Sequence, residues 1–344
     1  MRLSLCVFLL ATAAALLGVD GEARSGTNAP KQHAPYSIVV IPTPSSCCNI
    51  YYSVAGLDDH DEIAFAGSGP GFEACGLISG AAIYWTYGVI CLMNGISHSG
   101  VAVGAFLFMP PPEYTAGFWV ARDSQTNKFP FVRGGGYPFF ELVSINDNGL
   151  AAGLGLYGQG GTYDIQSQEA TLFEDPRNGC TQYAPLSILD DGEVFADASC
   201  TGLPPLVVIS GSNYRYLAPP GDLRFELVNN EGLAIMFSPS TGHLYSWAKP
   251  WKRKPIDLGS LPGDENDSYY AASINDHDVM VGFAAAGSWI WDRSHGFRYF
   301  SKLLPRNQYE YVYLDSINNG GDIAGSAYTK GNSYPFILLF KRTK

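Results

Sequence analysis

An aliphatic residue followed by Asn or Asp, a second polar residue, any residue and then Gly or Asp recurs along this chain. The copies begin at Leu57, Ile96, Ile145, Ile188, Val228, Ile274 and Ile317, about 43 residues apart. The clearest copy is Ile145-Asn146-Asp147-Asn148-Gly149, and the loosest are Ile188-Leu189-Asp190-Asp191-Gly192 and Ile96-Ser97-His98-Ser99-Gly100. One such pentapeptide arises by chance; seven at near-even spacing mark a repeat architecture, in which each unit buries its apolar surface against its neighbours.

The chemistry of the unit is that of a hairpin turn. Asn or Asp at the second position accepts a hydrogen bond from its own backbone two residues on, and Gly at the fifth takes the left-handed conformation. Asp61 and Asp278 replace that Gly in two copies, which Asp tolerates. An apolar stretch follows each turn and ends on Gly in four copies, at Gly104, Gly153, Gly282 and Gly325. Further on comes an aromatic-aliphatic strand, such as Ile83-Tyr84-Trp85, Leu172-Phe173 or Trp289-Ile290-Trp291. Four short strands in about 43 residues predict an all-β, seven-bladed β-propeller over residues 36–344, a single domain. The last copy lacks an outer strand, and Tyr36–Pro42 precedes the first copy as Pro255–Pro262 precedes the sixth. The N-terminal strand is therefore expected to complete the last blade and close the ring.

The segments SINDHDVMVGFAAAGSWIWD and IDLGSLPGDENDSYYAA resemble the HAF-type extracellular repeat of exported bacterial proteins. The resemblance covers most of the chain after residue 35. It implies export and a propeller-like array, and it implies no activity.

Met1-Arg2, an apolar run from Leu3 to Leu17 and small residues up to Ala23 read as a signal peptide over residues 1–23. A leader over 24–35 follows, and the expected location is secreted, extracellular or periplasmic. No later run is apolar for long enough to make a membrane span. Export exposes six cysteines, Cys47, Cys48, Cys75, Cys91, Cys180 and Cys200, to oxidising conditions. Fifteen pairings are open; nearness favours Cys75 with Cys91 and Cys180 with Cys200, leaving Cys47 and Cys48. Neither Cys-x-x-Cys nor a His at ligand spacing is present, so no metal and no cofactor are expected. The net charge of −11 excludes nucleic acid as a partner. The one basic cluster, Lys249 with Lys252-Arg253-Lys254, reads as a solvated edge. The chain is expected to be a monomer.

His60, His98 and His277 fall in turns of different copies and are read as ordinary turn residues. The acidic clusters Asp58-Asp59-His60-Asp61-Glu62 and Asp264-Glu265 with Asp267 lack the spacing of a calcium loop. No catalytic motif appears, and no catalytic residue is assigned.

Function on a propeller sits in loops. From the first motif residue to the aromatic strand, copies one to three span 27, 22 and 27 positions, against 17 and 16 in copies five and six. This predicts long loops joining second to third strands in three adjacent blades, over Ala66–Ala82, Ala105–Ala116 and Leu154–Ala170. Tyr114, Tyr157 and Tyr163, with Glu113 and Asp164, are the candidate ligand-binding residues. The expected function is a non-catalytic module binding a glycan, peptide or surface partner there. The alternative is a carbohydrate-active enzyme, hydrolase or lyase, on the same scaffold.

Overall fold

The computed structural model describes residues 35–41, 51–69, 72–80, 82–87, 90–108, 113–120, 139–155, 158–174, 180–262, 269–304, 309, 311–328 and 336–343. All belong to the unit Ala34–Lys344. The expected signal peptide and nearly all of the leader lie outside the described residues.

Among the described residues, apart from the 3-10 turn at Phe300–Lys302 and a 3-10 residue at Gly158, the regular structure is all β. β1 (Tyr36–Val40) is followed by a first sheet of β2 (Tyr51–Leu57), β3 (Ile63–Gly69), β4 (Phe72–Ser79) and β5 (Ala82–Tyr87). A second is formed by β6 (Ile90–Ile96), β7 (Val101–Phe108) and β8 (Glu113–Val120). The third holds β9 (Phe139–Ile145), β10 (Leu150–Gly155), β11 (Gly160–Asp164) and β12 (Glu169–Leu172). The fourth holds β13 (Cys180–Ile188), β14 (Val194–Cys200), β15 (Leu206–Ser210) and β16 (Asn213–Leu217). The fifth consists of β17 (Arg224–Val228), β18 (Leu233–Ser238), β19 (His243–Ala248) and β20 (Ile256–Gly259). The sixth consists of β21 (Tyr269–Ile274), β22 (Met280–Ala284), β23 (Gly287–Asp292) and β24 (Gly296–Tyr299). The last has β25 (Tyr311–Ile317), β26 (Ile323–Tyr328) and β27 (Phe336–Arg342), and β1 lies antiparallel to β27 with Tyr36 opposite Arg342 and Val40 opposite Leu338.

The result is a propeller of six four-stranded antiparallel blades and, among the described residues, a three-stranded sheet β6–β8. The first strands of successive sheets touch in turn, and β25 touches β2. The apolar core is divided into wedges between neighbouring sheets. Val281 and Ile290 of β22 and β23 meet Leu314, Leu338 and Phe340 of the last sheet. Ile337 and Leu339 on the other side of β27 meet Tyr52, Val54 and Phe65 of the first. Because both faces of each sheet are covered, the strands carry apolar residues on both sides rather than alternating.

All seven turns close alike. The backbone N–H of the second motif residue donates to the carbonyl four residues on, and the N–H of the fifth donates back to the second, as in Asn318→Asp322 (3.0 Å) and Gly321→Asn318 (3.0 Å). The fifth residue has positive φ in every copy, 63° at Asp61 and 61° at Asp278 included. Each first strand carries a bulge two residues before its motif, as between Leu314 and Ser316 or Ala271 and Ser273.

The strand assignment in copies one and three needs correction. Ile83-Tyr84-Trp85 lies on the fourth strand of its sheet, not the third, and Leu172 likewise ends the fourth strand β12. The third strands are β4 and β11. Most of the residues expected as long loops over Ala66–Ala82 and Leu154–Ala170 are therefore paired strand. In copy two, β7 and β8 run through most of Ala105–Ala116, leaving 109–112 between them. The added length in these copies is strand.

Candidate functional site

The seven turns gather on one face of the propeller, where their polar groups are used mainly on one another. Asn146 Oδ1 accepts from the N–H groups of Asn148 (3.1 Å) and Leu150 (3.0 Å), while its Nδ2 donates to the Leu189 carbonyl of the next blade (2.9 Å). The same amide bridge runs from Asn229 to Asn275 (3.1 Å), from Asn275 to Asn318 (2.9 Å) and from Asn318 to Asp58 (3.0 Å). Beside it, Ser144, Ser273 and Ser316, each just before its motif, accept from the N–H of Ile188 (3.3 Å), Ile317 (3.3 Å) and Leu57 (3.0 Å) in the following blade. The motif is thus an inter-blade connector as well as a turn.

The third motif residues are Asp59, His98, Asp147, Asp190, Asn230, Asp276 and Asn319. Asp147, Asn230, Asp276 and Asn319 receive or donate backbone-to-side-chain bonds blade to blade, for example Asn319 N–H to Asp59 Oδ1 (2.8 Å). His98 was expected to be a solvated turn residue. Instead its Nδ1 lies 3.2 Å from Asp147 Oδ2 and 3.2 Å from Asn230 Nδ2, so blade two reaches both its neighbour and the fifth blade. Burial raises the Asp190 carboxyl above the usual range, a bond from the Asp147 N–H opposes this, and the carboxylates of Asp147 and Asp276 add to it. Beneath this mouth lies a cavity of 220 Å³ lined from several blades, including Gly56, Gly95 and Ser187. His60 and His277 remain exposed.

The first acidic cluster is structural. Asp58 is fully buried and its Oδ1 accepts from His60 N–H (2.8 Å) and Glu62 N–H (2.7 Å). Asp61 pairs with Lys341 of the last sheet. Asp264, Glu265 and Asp267 lie outside the described residues. The basic cluster forms no stacking platform: Lys249 pairs with Asp191 and Glu193, and Trp247 and Trp251 are buried. Among the described residues no three His, Cys, Asp or Glu side chains are grouped to hold a metal ion, and no helix is long and apolar enough to cross a membrane.

Of the candidate binding residues, Tyr163 is only 2% exposed and packs with Phe139 and Leu142 in the wedge beside Val103, so it belongs to the core. Its place in β11, opposite Ala151, explains this. Asp164 caps the turn after β11, its Oδ1 accepting from Gln166 N–H (2.8 Å) and Ser167 N–H (3.1 Å). Glu113 and Tyr114 pair on β8 with Phe108 and Leu107, and their side chains lie outside the described set. Tyr157 is outside the described residues altogether. Cys180 and Cys200 form a disulfide across β13 and β14, where they are register partners. Cys75 is also disulfide-bonded, while the side chains of Cys47, Cys48 and Cys91 lie outside the described set.

The opposite face carries the second-to-third strand connections and the starts of the first strands. Here, between the sixth and seventh blades, exposed aromatics collect. Tyr270 at the start of β21 is 53% exposed, and Tyr311 and Tyr313 on β25 are 57% and 39% exposed. Ring centroids lie 5.5 Å apart for Tyr270 and Phe283, 5.9 Å for Phe283 and Tyr313, and 6.1 Å for Tyr313 and Tyr328. With the Ala284–Gly287 hairpin, Tyr270, Phe283, Tyr311 and Tyr313 border a 440 Å³ cleft that Phe300 and Val312 also line. The repeat positions them: a Cβ on Gly282 would sit 2.0 Å from the Tyr270 carbonyl oxygen, and one on Gly325 would sit 2.0 Å from that of Tyr313. Glycine within the second strand lets the bulged first strand press in. The sequence signal missed was the alternation Tyr311-Val312-Tyr313 before Ser316-Ile317, echoed by Tyr270 before Ser273-Ile274.

A second cavity on this side, 850 Å³, lies between blades four and five and is lined by Asp197, Arg224 and Glu226. Burial raises both carboxyls, and the Arg224 charge partly opposes this at Glu226.

No family model matches the chain, and no curated protein matches it in sequence. Its fold matches solved structures. An oligogalacturonate lyase in complex with manganese aligns over 90% of this chain and 97% of its own at 12% identity, with a TM-score of 0.58. A structure of WD40 repeats aligns over 90% and 99% at 12% identity, TM-score 0.53. A streptogramin B lyase aligns over 90% and 98% at 9% identity, TM-score 0.51. At these identities the likeness shows the fold alone, an all-β propeller found in enzymes and in repeat modules alike.

Proposed function

We propose that the chain is a secreted, non-catalytic propeller that binds its ligand at the aromatic cleft between the sixth and seventh blades. In this reading β6–β8 counts as a full blade, the second of seven, and β1 closes the ring through β27. Residues 1–23 direct export, and the repeat is of the HAF type. The disulfide and the absence of a membrane-spanning helix among the described residues support an extracellular setting. The binding site moves from blades one to three, because the length there is strand.

One observation carries the reading. Tyr270, Tyr311 and Tyr313 stay exposed on first strands where neighbouring side chains are packed into the wedges. Exposed aromatics clustered around a cleft mark ligand and partner sites. The test is a mixed glycan and peptide array probed with the purified chain. The Tyr270→Ala/Tyr311→Ala double variant should lose at least about tenfold in affinity for whatever binds. Full retention rejects the cleft.

The groove at Asp197 and Glu226 favours a second reading, since carboxyls pushed above their usual range in a cavity are candidate acids. A reducing-sugar or unsaturated-product assay distinguishes it: turnover abolished by Glu226→Gln would make the chain an enzyme.

A further inference from the structure

The cleft between blades six and seven is bordered by the aromatic faces of Tyr270, Phe283, Tyr311 and Tyr313, and by the hydroxyl-bearing Ser301 and Tyr309. Among the described residues, no Asp, Glu, Lys, Arg or His lines it. Among the described residues, the hydroxyls of Tyr270, Tyr311 and Tyr313 make no hydrogen bond within the protein. They are open to a ligand. We infer that this cleft takes an uncharged oligosaccharide, its ring faces on the tyrosines and its hydroxyls on theirs; the inference rests on the binding reading above.

Charge and shape decide the class. An anionic ligand such as a uronate, sulfate or phosphate ester would give up hydration with no cation among the described lining residues to replace it. It would do so against a chain of net charge −11. A cationic ligand would find no carboxylate among the described lining residues. A purely apolar one would bury the tyrosine hydroxyls unpaired, at a cost of about 1–3 kcal/mol each. A pyranose ring carries both an apolar C–H face and equatorial hydroxyls, which is what a row of tyrosines offers. The volume of 440 Å³ falls within the ~300–1,000 Å³ of ordinary ligand sites and suits about two such rings.

The experiment is titration calorimetry of the purified chain with cellotriose, maltotriose, mannotriose and trigalacturonate, and with an uncharged Tyr- and Pro-containing peptide. At least one neutral trisaccharide should bind below about 10 mM, with affinity unchanged from about 50 to about 500 mM salt. Tyr270→Ala and Tyr311→Ala should each weaken it several-fold, and Tyr270→Phe should keep most of the affinity, because stacking outlives the hydroxyl. Circular dichroism of the exposed-site variants establishes that they fold. If trigalacturonate or the peptide binds through the same tyrosines and no neutral sugar does, the ligand class is wrong while the binding face stands. If a neutral sugar binds but the tyrosine variants are indifferent, the inference and the cleft both fall. No binding by any neutral sugar overturns the inference.

Discussion

On the turn face, the copies carry nearly the same groups and direct them at the next blade; on the opposite face, equivalent positions carry unrelated groups. The second motif position is Asn in four of the seven copies, and the first, third and fifth are as constrained. The residue whose carbonyl presses on the second-strand glycine is Leu92 in copy two, Tyr270 in copy six and Tyr313 in copy seven. The backbone there is fixed by the repeat, and the side chain is not. A repeat records what every blade must do to hold its neighbour. The particular function is written where side chains differ on an identical frame.

This contrast can be broken at the shared backbone frame first. Gly325→Ala places a methyl 2.0 Å from the Tyr313 carbonyl, and backbone cannot yield as a side-chain tip does. The variant should lose about 3 kcal/mol or more, seen as a fall in urea midpoint, and should displace the cleft tyrosines. Next comes Asn318→Ala. Its amide makes a part-buried bond to the Asp322 N–H (2.9 Å) and a buried one to the Asp58 carbonyl (3.0 Å) at the junction of the last and first blades. Removing it strands both partners, at about 2–3 kcal/mol. Tyr270→Ala, on the other face, should change stability by less than about 0.5 kcal/mol. Equal losses for Asn318 and Tyr270 would erase the distinction between the faces.

The repeat and its turns were legible because their determinants are local: Asn bonding its own turn, and Gly or Asp at positive φ. The disulfide at Cys180 and Cys200 was legible for the same reason, lying across one hairpin. Other features depend on pairing partners that no local pattern names. The third strand of copy three, Gly160–Asp164, holds two glycines and no aromatic-aliphatic pair. The next apolar segment, Leu172-Phe173, carries that pair instead, which shifts the sequence phase by one strand. That slip turned buried Tyr163 into a supposed loop residue. The inter-blade role of Ser144, Ser273 and Ser316 was equally hidden, because their partners lie about 43 residues away or across the whole chain.

Titration sharpens the comparison further. Asp315 occupies the bulge of β25, two residues beyond Tyr313, and burial raises its carboxyl to about 7. Its Oδ2 is shut from solvent and has no hydrogen-bond partner among the described residues. An unfolded aspartate ionises near 3.8, so folding takes up a proton between that pH and about 7. The stability this group contributes is complete below pH 4 and lost as pH rises through 7. Asp315→Asn, which never ionises, should match the native protein in melts near pH 4. Near pH 8 it should exceed it by about 2 kcal/mol, less than the full shift implies because part of the residue remains exposed. A difference that is the same at both pH values would show that burial is not the cause.

Asp58 offers the finest test, because the repeat itself supplies the control. It stands where Asn229, Asn275 and Asn318 stand in the three blades before it in the ring; its Oδ1 accepts from the N–H groups two and four residues on, as that of Asn275 does, and Asn229 and Asn318 make the second of these bonds. An aspartate has no amide to send to the following blade. Its carboxyl is raised to about 6, chiefly by burial and further by the Glu62 charge, against the pull of the His60 and Glu62 N–H groups. The raised value means that its contribution to stability is present below pH 4 and lost as pH rises through 6. Asp58→Asn keeps the accepting oxygen, removes the buried charge and provides the donor that the other junctions use. It should stabilise the fold by about 1 kcal/mol at pH 7.5, with the gain shrinking toward pH 4 as the native carboxyl becomes neutral. A gain independent of pH would assign the benefit to the new donor alone. Destabilisation at both pH values would mean that the junction of the first two blades is built around the acid, and that this copy departs from the repeat by design of its own contacts.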